Sequence, residues 1–88
     1  MTDAEAQSLH DEAANRGEHL MWFVTITDAY HLGKVVAWAT KADTHGGAKM
    51  PGVLVAGTLA ELRTMLPAGL TRRDPTPMMP VGVVEAWD

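Results

Sequence analysis

Cysteine is missing from this sequence, and serine occurs only as Ser8. The first absence excludes a disulfide framework, a thiolate zinc site and a cysteine nucleophile together, and it fits a reducing compartment. Ser8 lies in an acidic, helix-forming stretch with no nucleophile-elbow pattern around it. Long apolar runs are lacking as well. "LMWFV" and "GVLVAG" are far too short to span a bilayer, and the acidic N-terminus has no apolar stretch of the signal-peptide kind. The expected location is therefore cytoplasmic. Bases are few beyond Arg16: Lys34, Lys41, Lys49 and Arg63 are scattered, and Arg72–Arg73 is one pair. That distribution gives no basic stripe for direct nucleic-acid binding.

Catalytic patterns are equally scarce. His10, His19, His31 and His45 never stand at the i, i+4 or H-x-H spacing that aims two imidazoles at one metal. Asp43, Thr44 and His45 fall in the polar stretch "KADTHGGAK", which reads as a loop. Asp11 and Glu12 are adjacent on a helix, so their carboxylates diverge and form no acid–base couple. The Gly46–Gly47 pair lacks the helix and lysine of a phosphate-binding loop. The expectation is a non-enzyme with no metal and no cofactor.

What the sequence does contain is apolar mass and unevenly placed acid. Hydrophobic residues are 47% of 88, enough for one small folded domain over residues 1–88. The net charge of −4 sits entirely in residues 1–18, where Asp3, Glu5, Asp11, Glu12 and Glu18 face Arg16 alone. These acids are candidate contacts to a basic partner surface.

The reading along the chain is α-β-β-β-α-β, an α+β fold with an antiparallel sheet and a helix packed on one face. Thr2 and Glu5 have capping-box spacing, and residues 3–17 read as an acidic helix ending at Gly17. Its large apolar content is Leu9 alone, which predicts weak docking onto a core over residues 20–88. Residues 20–27 and 33–40 read as a hairpin. A turn centred on Tyr30 would set Trp22 opposite Trp38 and Val24 opposite Val36. "MPGVLVAG" reads as a third strand with Pro51 at its start. Thr58 and Glu61 begin a second helix with the buried stripe Leu59, Leu62, Met65 and Leu66, stopped by Pro67. "TRRDPTPMMP" reads as an extended connection, and residues 81–87 as a final strand.

The strands are apolar on both faces, so the face without a helix needs a cover, either a second copy in a homodimer or a target protein. Met78 and Met79, between prolines, are candidate adaptable contacts, with Arg72 and Arg73 as polar anchors.

"PGVLVAGTLAELRTML" resembles the strand–turn–helix of HicB-type antitoxins, through Pro51, Gly52, Gly57, Thr58 and Leu62. That resemblance implies a small regulatory protein that neutralises a toxin, although the acidic N-terminal helix is an addition to the pattern. In size, acidity and lack of catalytic residues the chain also resembles phage-encoded anti-CRISPR proteins. That class shares no common fold, so no residue is carried over. This second resemblance implies an inhibitor that blocks an effector nuclease complex by occupying a nucleic-acid-binding surface. It is preferred because it gives the acidic helix a role.

Overall fold

The computed structural model describes residues 1–43 and 46–88, without the side chain of Asp43. Thr44 and His45 of the expected loop lie outside the described residues. The fold is α+β: α1 (Asp3–Asn15), β1 (Leu20–Thr25), β2 (Val35–Asp43), β3 (Gly46–Lys49), β4 (Leu54–Ala56), α2 (Leu59–Met65), β5 (Arg72–Arg73) and β6 (Val83–Trp87). The six strands make one antiparallel sheet in the order β3-β2-β1-β6-β5, with β4 also paired to β2.

Two strands were not anticipated. The glycine-rich stretch after β2 turns back as β3, pairing Thr40 with Lys49 and Lys41 with Ala48. The chain then continues along the same edge of β2 as β4, where Val35 pairs with Ala56. Pro51 and Gly52 lie in the break between β3 and β4, not at the start of a strand. Proline has no N–H to give the ladder, so the break falls where pairing would lose a bond anyway. The other addition, β5, is a two-residue edge inside the extended connection.

The hairpin register is one residue from the expected one. Trp22 pairs with Ala39, Phe23 with Trp38 and Val24 with Ala37. A one-residue slip exchanges the two faces of a strand, so Trp22 and Trp38 lie on opposite faces. The reason is volume. Trp22 and Val24 stand beside Ala37 and Ala39, which leaves space for the helices above them. Leu20, Trp22, Val24, Val35, Ala37, Ala39, Leu54 and Ala56 form the covered face.

Both helices cover that face. α2 inserts Leu62, fully buried, with Leu59, Met65 and Leu66 packed around it. Thr58 Oγ1 accepts from Glu61 N at 3.1 Å, while the Glu61 carboxylate accepts from Gly57 N at 3.2 Å. α1 has the full Thr2–Glu5 capping box. Its thin apolar stripe nevertheless reaches the core. Ala6 is 0% and Ala13 2% exposed, in the same cluster as Trp22, with Leu9 and Met1 against it. Gln7 adds a tie, its Oε1 accepting from Ala68 N at 2.9 Å.

The second face also departs from expectation. Phe23, Thr25, Val36 and Ala86 are buried within the chain itself. Met78, Pro80 and Val81, from the proline-spaced connection, line grooves with Phe23, Trp38 and Val36. Thus this face has a partial cover of its own.

Candidate functional site

On α1, Asp3, Glu5, Asp11 and Glu12 are exposed; Asp11 lies across the helix from Ala6 and Ala13, while Asp3 and Glu5 flank the buried side. Three of them have local partners that fix their positions. Asp3 accepts from Ala4 N at 2.9 Å, Glu5 accepts from Thr2 N at 2.9 Å, and Asp11 accepts from Gln7 Nε2 at 3.0 Å. The hydrogen bond from the Thr2 backbone holds the Glu5 carboxyl below its usual range. None of the four takes part in an ion pair among the described residues.

Glu18 is not part of that surface. It is bound by Lys41 at 2.9 Å and by Arg16, and both bonds keep its carboxyl below the usual range, Lys41 foremost. Arg72 and Arg73 are likewise engaged within the chain. Arg73 Nε donates to Asp88 Oδ1 at 2.7 Å, and Arg72 Nη2 lies 3.5 Å from Glu85 Oε2. Glu85 is buried on the covered face and is held chiefly by Arg63, with Trp87 Nε1 donating at 3.1 Å. Arg16, Lys41, Arg63, Arg72 and Arg73, five of the seven bases, are thus matched to the chain's own acids.

Met78 is 94% exposed, and Met79 is half-buried after a turn in which its N–H donates to Thr76 O at 3.1 Å. The fold places Met78 beside Phe23, Trp38 and Thr40, apart from a group that sequence reasoning missed. Ile26, Tyr30, Leu32, Val81 and Val84 are exposed as well. The pairing of Thr25 with Val83 places the β1–β2 loop and the segment before β6 at one end of the sheet. Gly82 locks this junction: its φ is +90°, and a Cβ there would lie 2.8 Å from Thr27 Oγ1. Thr25 Oγ1 also donates to Gly82 O at 2.9 Å.

The loop is built around Asp28. Its carboxylate accepts from Tyr30 N at 3.2 Å and contacts His31 Nδ1 at 2.7 Å, while its carbonyl accepts from His31 N at 3.2 Å. The bond to His31 is the main reason the Asp28 carboxyl lies below its usual range. Tyr30 and Leu32, 92% and 82% exposed, are therefore held out on a fixed turn. Presented this way, they lose little conformational freedom on contact with a partner. The signal in the sequence was "DAYHL", an aspartate-led turn holding two large apolar residues that no strand could bury.

The opposite end of the sheet is charged. Arg16, Glu18 and Lys41 meet beside Leu20, and His19, Arg73 and Asp88 form a second group, with His19 Nε2 3.4 Å from Asp88. Among the described residues, no three His, Asp or Glu side chains gather as a metal site, and no helix is long and apolar enough to cross a membrane. No family model, no curated protein and no solved structure matches the chain, so its function is argued from these residues.

Proposed function

We propose that the chain is a non-catalytic protein-binding inhibitor that occupies a basic, nucleic-acid-binding surface of an effector complex, in the manner of phage-encoded anti-CRISPR proteins. The observation that supports this reading is the division of charge. Five bases are spent on internal ion pairs, whereas Asp3, Glu5, Asp11 and Glu12 face outward unmatched by any base among the described residues. A second copy can offer little cation to this helix, so the complementary surface belongs to another molecule. Such charges act mainly on the rate of encounter, and the fixed apolar loops would then slow dissociation.

A test uses Asp3, Asp11 and Glu12 changed together to Lys, which leaves Ala6 and Ala13 in place. Native and variant proteins are compared for capture of nucleic-acid-binding complexes from bacterial lysate at about 0.05 and 0.5 M salt, between which the Debye length falls from about 14 to about 4 Å. Capture by the native protein should weaken with salt and be lost in the variant. Equal capture by the two proteins at low salt removes the support for this reading. The alternative, a HicB-like antitoxin suggested by Pro51, Gly52, Gly57, Thr58 and Leu62, predicts a toxin partner held with little salt dependence.

A further inference from the structure

Lys34 and Lys49 are the two bases outside the ion pairs described above. Lys49 has an organised setting. Its Nζ lies 5.5 Å from the centroid of the Trp38 ring. That ring is tilted 55° against Phe23, with centroids 6.0 Å apart. An exposed ammonium thus stands on an aromatic platform, with no carboxylate at ion-pair distance among the described residues.

Two further features lie beside it. β3 ends the sheet and is hydrogen-bonded to β2 along one edge, so its other edge is unpaired among the described residues. Two residues before Lys49, on the same face, Gly47 has no side chain, and a Cβ there would come within 2.5 Å of Thr40 Cγ2. Gly47 and Lys49 form one wall of a groove of about 460 Å³, whose other walls are Phe23, Trp38, Thr40, Met78 and Pro80.

We propose that this edge accepts an extended segment of a different protein as an added antiparallel strand, with an acid opposite Lys49 and an aromatic ring opposite Gly47. Strand addition supplies main-chain bonds, and alternate side chains supply selectivity. Directly opposed residues share a face, so a carboxylate there gives Lys49 an ion-pair partner nearer than Asp28, which lines a neighbouring groove with it beyond ion-pair distance. An aromatic ring two residues along packs over Gly47 and the Thr40 methyl that fills its Cβ space, as cross-strand aromatics do at edge positions. Antiparallel pairing is the more stable arrangement, and it fixes the order as acid, any residue, aromatic.

The chain itself contains that order twice, at Asp28–Tyr30 and Glu85–Trp87. The first is bent into the Asp28 turn, and the second is already paired inside the sheet. A folded second copy therefore cannot offer it. The β3 edge is separate from the acidic helix, and strand addition there is independent of inhibitor binding through α1.

The test is a titration of the isotope-labelled full chain with the capped peptide Thr-Glu-Thr-Phe-Thr, read by amide and indole NMR shifts. Saturable shifts confined to residues 46–49 and the Trp38 indole are expected at millimolar peptide or below. Lys49→Glu, an exposed change, should keep the native spectrum and weaken binding about tenfold. Methylating the peptide's backbone nitrogens should abolish binding. Shifts that do not saturate, shifts elsewhere, or unchanged affinity in Lys49→Glu would overturn the proposal. So would shifts of residues 46–49 that depend on protein concentration without peptide, which mean that the chain closes this edge with its own copy.

Discussion

Glu85 is 1% exposed in a chain with few bases to neutralise it. Burial raises a carboxyl's pKa, but here the Arg63 hydrogen bond outweighs it, with help from Trp87 and Arg72, and the group lies below its usual range. A carboxyl depressed in the folded state adds stability at pH values above its unfolded pKa, about 4.3 for glutamate. That contribution is lost as pH falls through the lower folded value. Glu18, Asp28 and Asp88 shift in the same direction, through Lys41, His31 and Arg73 respectively. Urea melts should therefore show stability falling below about pH 4. Glu85→Gln should cost about 1–3 kcal/mol at pH 7, and its deficit against the native protein should shrink at pH 3. An equal deficit at both pH values would mean that Arg63 does not select the charged form.

At the scale of elements, the two helices divide the covered face by size. α2 contributes one large side chain, and Leu62→Ala should lower stability by about 2–5 kcal/mol in denaturant melts. α1 contributes two buried methyl groups. Ala6→Leu should therefore cost about 1–3 kcal/mol through overpacking, while the same change at exposed Ala14 should be close to neutral. If Ala6→Leu is neutral too, the helix is not seated as described. Both helices, their caps and the α2 stripe were legible in the sequence, because capping spacing and leucine periodicity are local signals. The docking of α1 was not. Alanine carries no hydropathic signal of burial, and its value here lies in the space it leaves above Ala37 and Ala39. The hairpin register was missed for a related reason. Pairing Trp22 with Trp38 looked favourable locally, but the covered face sets Trp22 between Ala39 on β2 and Trp87 on β6. β3 was hidden by its glycines, and β5 by its length of two residues.

The whole molecule has a charged end and an apolar end. Replacing Tyr30 and Leu32 together by Ala should change stability by less than about 0.5 kcal/mol. The same change should weaken partner binding more than tenfold, as loss of anchor residues does. The acids of α1 could be read from sequence as a candidate surface, because surplus charge in one segment has nowhere to hide. The apolar end could not, since it joins residues distant in the chain through the Thr25–Val83 pairing. Nor could the engagement of Arg72 and Arg73, whose partners Glu85 and Asp88 reach them only across β6.

The seating of α1 has a thermodynamic consequence. Its inner side belongs to the apolar core and its outer side bears the unmatched acids. A ligand that grips the outer side of a helix so seated is released when the sheet melts. Binding and unfolding are then linked, and saturation at a hundred times Kd should add about 2.7 kcal/mol to the free energy of unfolding. A thermal-denaturation scan with candidate basic proteins would register that gain as a higher Tm. A ligand held only by frayed ends of the chain would leave the transition where it was.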